Sequence, residues 1–280
     1  MVEKYAMLTL AETFELINIA IATARLKSLE TPYTSIRPSM HSILVGRVGS
    51  LKSSIMRIIC KEFKVLPTFN LTSATILGSV DKSTGIPLLP AIWEHRNSIL
   101  PIDELYIDAH NNSQRSALSV FLSVLEHPEF EKKIAYRIND YKEKDKDLYC
   151  MMNNGKICVK TRFVFIANTM QNLIRPQKMI ELEALKTRCL VLPYYPTSME
   201  IRSMLSGHHI FEYKKYRHNL DCKVPLKEFE RILDMVTEHN VSEEYYARTV
   251  GDLCRTYAIV GMNEEVFNLI LRIREKKNYR

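Results

Sequence analysis

The sequence predicts an α/β protein built on a parallel sheet and completed by a small all-α lid. Three observations carry that prediction. Apolar runs of strand length, at 41–45, 98–102, 163–167 and 189–192, alternate with segments whose apolar residues recur at helical spacing. The first run opens into a glycine-bearing turn, then Lys52-Ser53, then helix-forming residues from Ile55 to Phe63. From about Val224 the strand-like runs stop, and the chain continues as helical segments alone.

With 280 residues the chain is long enough for one α/β domain and a small satellite. Its hydrophobic fraction of 46% and charged fraction of 25% are those of a chain with a packed core, not of a disordered one. No apolar run is long enough to cross a bilayer. Glu3, Lys4, Glu12 and Glu15 break the pattern of a signal peptide at the amino end. The six cysteines, at 60, 150, 158, 189, 222 and 254, have neither C-x-x-C spacing nor a histidine at zinc spacing. They read as free thiols of a reducing, cytoplasmic compartment. A formal charge of +7 suits contact with a polyanion.

In chain order, residues 8–28 are apolar at helical spacing and predict a helix packed on the main domain. Together with a linker they make an amino-terminal segment, 1–40. Thr31-Pro32 and Arg37-Pro38 force extended turns before the 41–45 strand. An α/β unit then runs from 41 to 222. It holds a helix at 52–64, a second strand near 65–71, a turn-rich stretch at 72–90, and a strand at 98–102 that ends in Asp103-Glu104. Pro101 is awkward for a central position in a ladder. An amphipathic helix follows at 114–127. Short β-like runs at 134–138, 148–152 and 157–161 flank a charged loop, and Asn154-Gly155 marks a hairpin carrying Lys156, Lys160 and Arg162. The buried strand 163–167 ends at Asn168-Thr169. A helix at 178–186 runs into Arg188 and the strand 189–192, which Pro193 and Pro196 end. Thr197 or Ser198 caps a helix through Leu205, with Glu200 in its first turn. The lid, 223–280, has helices at 225–239, 243–260 and 263–277.

The order strand, glycine loop, Lys-Ser, helix is that of a phosphate cradle. Backbone N–H groups around Gly46, Gly49 and Ser50, and at Ser53 and Ser54 in the first helical turn, point at the β- and γ-phosphates. Lys52 supplies a point charge and the Ser53 hydroxyl ligates Mg²⁺. Leu51 stands where G-x-x-x-x-G-K-[ST] has its second glycine. At the end of the 98–102 strand, Asp103 can hold the Mg²⁺ hydration shell, and Glu104 can orient or deprotonate an attacking water.

Five features in this order make the chain resemble the AAA+ ATPase superfamily: Lys52-Ser53, Asp103-Glu104, Asn168 after a buried strand, Arg188 at the end of a short helix, and Arg248 opening a lid helix. In that family they would be Walker A, Walker B, sensor 1, arginine finger and sensor 2. Glu183-Ala-Leu-Lys-Thr-Arg-Cys189 is similar to a segment shared by clamp loaders and several other clades. The stretch Arg248-Thr-Val-Gly-Asp-Leu-Cys-Arg-Thr-Tyr-Ala258 is similar to the lid of minichromosome-maintenance (MCM) helicases. Those helicases also carry a small residue at the position of Leu51 and a β-hairpin before sensor 1. The resemblance covers roughly 41–275.

It implies a P-loop three-layer αβα core that binds ATP and Mg²⁺ and works as a homo-oligomer, a hexameric ring or spiral with ATP between subunits. Lys52, Ser53, Asp103, Glu104 and Asn168 would act from one subunit, while Arg188 reaches the γ-phosphate held by its neighbour. Arg248 would contact that phosphate from the same chain or from the neighbour. Lys156, near the hairpin tip, and Lys160 would track single- or double-stranded DNA. The implied function is a DNA-acting motor, an MCM-like helicase core or replication initiator of the kind a virus or plasmid encodes, which places it in the cytoplasm of a cell or host. Two other readings stay open: a clamp-loader-like or chaperone-like protein remodeller, and a nucleotide-binding switch with little turnover. Leu51 motivates the last, and predicts weak ATP affinity or slow turnover unless subunits assemble.

Overall fold

A computed structural model describes residues 7–65, 72, 79–80, 83, 87–88, 95, 98–107, 111–126, 129–133, 152–153, 156–160, 163–169, 179–207, 216 and 221–275. Helix α1 (Leu10–Thr23) begins at a capping box, in which Thr9 accepts from the Glu12 amide and Glu12 accepts from the Thr9 amide. After it come β1 (Ser28–Glu30), β2 (His41–Val45), α2 (Lys52–Phe63), and the short strands β3 (Ser79–Val80) and β4 (Pro87–Leu88). Next are β5 (Ser98–Ile102), α3 (Asn112–Glu126), β6 (Glu129–Lys133), β7 (Met152–Asn153), β8 (Lys156–Lys160) and β9 (Phe163–Thr169). The chain continues through α4 (Ile180–Arg188), β10 (Cys189–Pro193), α5 (Ser198–Leu205) and β11 (Asp221–Lys223). It closes with α6 (Leu226–Glu238), α7 (Glu243–Val260) and α8 (Glu264–Arg274).

Four strands form a wholly parallel sheet in the order β10–β2–β9–β5. Successive side chains leave a strand on opposite faces, and each face has its own apolar cluster. Leu44, Ile99, Val164, Ile166, Leu190 and Leu192 pack with α1 and α2. Ile43, Val45, Leu100, Ile102, Phe165 and Val191 pack with α3 and α4, where Phe121 meets Phe165 edge-on with ring centroids 4.8 Å apart. Helices on both faces explain why these strands are apolar throughout instead of alternating. The mixed α/β class with a parallel sheet is therefore as the sequence predicts. Among the described residues β5 pairs with β9 alone, so Pro101 interrupts no second ladder there.

Some local expectations gain detail. Thr197, not Ser198, caps α5, in a capping box completed by Glu200. The helices α6, α7 and α8 occupy the three helical segments expected near the carboxyl end, with α8 ending at Arg274. Around the expected hairpin, Asn153 pairs with Lys156 and Met152 with Ile157; the turn Asn154-Gly155 itself lies outside the described residues. The strands expected at 65–71 and 134–138 also lie outside them, except for Val65, whose amide donates to Cys60 O at 3.0 Å and closes the end of α2 instead of opening a strand.

Three pairings were not expected. In the stretch read as turn-rich, β3 pairs antiparallel with β4, Ser79 opposite Leu88 and Val80 opposite Pro87. β6, whose Glu-Phe-Glu-Lys-Lys composition masks a strand, pairs antiparallel with β8 and makes the hairpin three-stranded. β1 pairs in parallel with β11, Ser28 opposite Asp221 and Glu30 opposite Lys223, so the expected linker contains a strand. The carboxyl-terminal helices close over the same region. Their buried Phe229, Ile232, Leu253, Phe267 and Ile270 join the cluster of α1, and Arg272 pairs with Glu12 at 2.8 Å. Among the described residues no helix is long and apolar enough to cross a membrane.

Candidate functional site

The carboxyl end of β2 runs straight into the loop 46–51, and the neighbouring strand dictates the first residue of that loop. Tyr194, just past β10, donates its amide to Val45 O at 2.8 Å. A Cβ on Gly46 would stand 2.3 Å from Tyr194 O, so this close approach of two backbones admits only glycine. Gly49 has φ +78°, and Ser50 closes the turn through bonds from its amide (3.3 Å) and hydroxyl (2.7 Å) to Arg47 O. Leu51 then adopts φ 61°, ψ 21°. A side chain holds the left-handed conformation that the motif's second glycine would reach freely, at a cost of about 1–2 kcal/mol.

Lys52 opens α2 and is buried, and its ammonium turns back into the loop. It donates to Gly46 O at 2.8 Å, Arg47 O at 2.7 Å and Ser50 Oγ at 3.3 Å, which matches the three donors it has. Burial pulls its pKa down, and the nearby Glu104 carboxylate opposes that shift. Ser53 and Ser54 are half-buried in the first turn of the helix.

β9 lies between the strand that feeds this loop and the strand that ends in the acid pair, with Leu44 opposite Asn168 and Ile102 opposite Ala167. Asn168 is buried and joins the two. Its Nδ2 donates to Asp103 Oδ1, and its Oδ1 accepts the Glu104 amide at 2.8 Å. The backbone repeats the link: Leu105 N donates to Asn168 O at 2.8 Å, and Thr169 Oγ1 donates to Leu105 O at 2.5 Å. Glu104 is the second left-handed residue of the site, with φ 57° and an exposed side chain. Lys52, Asp103, Glu104 and Asn168 are thus brought together at the carboxyl ends of adjacent parallel strands, where open α/β sheets bind ligands. Asn168 sits where a phosphate sensor was expected; one bond from each atom of its amide positions the acid pair, and its Nδ2 has a second N–H to donate.

Among the described residues no group of three or more His, Cys, Asp or Glu could hold a metal ion. Ser53, in the first turn of α2, and Asp103, past the end of β5, offer two hard oxygen ligands at the carboxyl end of the sheet. That donor set suits Mg²⁺, which takes one or two protein ligands and completes its shell with phosphate and water.

Arg188 and Arg248 are not brought to this end. Arg188 immediately precedes Cys189, which is opposite His41 at the amino end of the sheet. The five residues of β2 separate it from the loop by roughly 13 Å. Arg188 Nε lies 2.9 Å from Glu126 Oε1, and its Nη1 donates to Ala184 O at 3.0 Å. Arg248 Nη2 shares the same Glu126 oxygen, while Nη1 donates to Oε2 at 3.3 Å. Burial pushes the Glu126 carboxyl up, but the bond from Arg248 and the charges of Arg248, Arg37 and Arg188 outweigh it and hold the pKa below the ordinary 4.5. Close by, His41 Nδ1 accepts the Phe165 amide at 3.0 Å. Burial, then Arg37 and Arg255, keep this imidazole neutral, well below its ordinary 6.5.

Glu126 and Arg37 were not found by sequence reasoning. One local signal for Glu126 existed: an acid closing α3 faces the negative end of the helix dipole, and so needs a partner from elsewhere. Arg37, before Pro38, reads as an extended turn and nothing more. Lys156 and Lys160 sit at the two ends of β8, opposite Lys133 and Glu129; their side chains lie outside the described residues. Among known proteins, the chain matches no family model and no curated protein.

Proposed function

We propose that this chain is an ATP-hydrolysing subunit of AAA+ type that works as a homo-oligomer and acts on DNA, as an MCM-like motor or replication initiator. One observation carries the reading: the Asn168 amide joins Asp103 to the Glu104 backbone one strand away from the Lys52 loop. In this reading Lys52 exchanges its bonds to Gly46 O and Arg47 O for β- and γ-phosphate oxygens, and the Ser50 amide would leave Arg47 O to face the same group, beside that of Gly49. Ser53 and Asp103 hold Mg²⁺, which when bound neutralises charge on the phosphates. Glu104, aimed by its left-handed backbone, orients a water and takes its proton. Arg188 and Arg248 lie a strand's length away, so they serve a nucleotide held by a second copy and not their own.

ATP turnover of the wild type, Lys52→Ala and Glu104→Gln, each with and without single- and double-stranded DNA, tests this. Lys52→Ala should lose nucleotide binding. Glu104→Gln should bind ATP and turn it over about 100-fold more slowly or worse. DNA should stimulate the wild type. Equal rates for Glu104→Gln and wild type would remove the hydrolytic reading, and stimulation by a client protein but not by DNA would move the function to remodelling. Mixing Lys52→Ala with Arg188→Ala should restore turnover if sites are shared. The strain at Leu51 favours a second reading, a nucleotide switch with slow turnover; it predicts ATP binding with no difference between Glu104→Gln and wild type.

A further inference from the structure

At the amino end of the sheet, two guanidinium groups pair with one carboxylate, and a third stands within electrostatic reach of it. Glu126 feels Arg248, Arg37 and Arg188 together, and it is the carboxylate that ion-pairs with Arg188 and Arg248 among the described residues. Three cations against one anion leave an excess of two positive charges. Arg37 is the least compensated. Among the described residues its buried Nε and Nη1 have no hydrogen-bond partner, and Arg255 and Arg248 face it alongside Glu126. An unsatisfied buried guanidinium is costly, which marks a place where an anion is wanted.

A second row of charges holds the first in position. Arg255 Nε donates to Arg37 O at 2.7 Å. Arg274 donates to Lys186 O at 3.3 Å and to Cys189 O at 3.1 Å, the carbonyls on either side of Arg188. Asp252 pairs with both of these arginines, one through each carboxylate oxygen, at 2.9 Å and 3.0 Å. All three side chains of that row are 8% exposed or less. By contrast Glu126, Arg188 and Arg248 are 23%, 24% and 35% exposed, so the front of the cluster opens to solvent.

The geometry points to a phosphate-binding site made by Arg37, Arg188 and Arg248, in which Glu126 is a resident counterion that an incoming phosphate displaces. A guanidinium fork meets carboxylate and phosphate with the same two-point geometry. The two Glu126 oxygens on Arg248 therefore mark where phosphate oxygens sit. A phosphate with two or more negative charges matches the excess that a single carboxylate leaves. This inference rests on the reading that the phosphate belongs to a nucleotide held by a second copy. It adds Arg37 as a third contact and makes Glu126 a latch that holds the arginines together in the separate subunit.

The test uses inorganic tripolyphosphate and the full chain carrying Lys52→Ala, which disables the loop, with calorimetry as the readout. In that background Glu126→Gln should tighten binding about tenfold, and Arg37→Ala should weaken it by a similar factor. Arg188→Ala should abolish it. Arg37→Lys keeps the charge but not the fork; it should lose affinity while melting with the parent protein, which a merely structural arginine would not do. No tripolyphosphate binding with either Glu or Gln at 126, or binding indifferent to Arg188→Ala, overturns the site. Unchanged binding in Arg37→Ala removes Arg37 from it. In an otherwise wild-type chain, Glu126→Gln should also lower the protein concentration that gives half-maximal ATP turnover. Absence of ATP turnover defeats the ATPase reading but leaves the calorimetric result standing. Turnover that depends on Lys52 without tripolyphosphate binding at the arginines defeats this inference alone.

Discussion

At the carboxyl end of the sheet, Lys52, Asp103, Glu104 and Asn168 are held by bonds among backbone groups and short side chains, within a few residues of three strand ends. At the amino end, Arg37, Arg188, Arg248 and Glu126 are held by long side chains from four separate segments, with Arg255, Arg274 and Asp252 behind them. The first site depends on strand register and on two left-handed residues. The second depends on charge balance. A change in shape should therefore damage one end, and a change in charge the other.

The largest effect is expected from Asp252→Ala. It leaves Arg255 and Arg274 as buried cations without their shared acid, and breaking a buried network of this kind costs about 3–5 kcal/mol. Denaturant unfolding should show that loss. A drop below about 1 kcal/mol would mean that the amino end does not rest on Asp252 as described. Gly46→Ala comes next, at about 1–3 kcal/mol, because its Cβ must push Tyr194 O away from 2.3 Å. Here the loss should come with disturbed amide exchange at Ser50 and Lys52, and the arginine end should be untouched.

Acid should separate the ends further. The folded pKa of Glu126 lies below its ordinary 4.5, so its contribution is fully present above that value and lost as pH falls through the folded value. The stability difference between wild type and Glu126→Gln should therefore shrink as pH drops below about 4.5. A difference constant from pH 6 to pH 3 would contradict the pairing. Leu51→Gly should have the smallest effect. Removing a left-handed penalty of about 1–2 kcal/mol is offset by the roughly 0.5–1 kcal/mol of extra entropy that glycine loses on folding. The melting temperature should rise slightly or stay level. A fall equivalent to several kcal/mol would show that the half-buried Leu51 side chain supports the loop.

Much of the carboxyl end is legible in the amino-acid order alone. Gly46, Lys52 and the acid pair occur where apolar runs end, because a parallel strand delivers its ligand-facing residues just past its last buried position. Conformation is not legible there: nothing in the order of residues shows that Leu51 and Glu104 turn left-handed, or that Asn168 serves as a clamp on the acids. At the amino end, Arg188 and Arg248 stand out in the sequence only through resemblance, which assigns them to a nucleotide. Their joint grip on Glu126 is invisible in it, as are the burial of Arg37 and the pairing of β1 with β11.

The sequence by itself determined the elements of this protein. Apolar period, proline placement, the capping pair Thr197 and Glu200 and the glycine turn act between residues close along the chain, and each is local physical chemistry. The tertiary structure alone decided partners. It chose which strand lies between the loop and the acids, and it brought Glu126 and Arg248, 122 residues apart, onto one ion pair. The reason is that side chains reaching across a fold answer to net charge and packed volume at a point in space, and no spacing along the chain encodes that point.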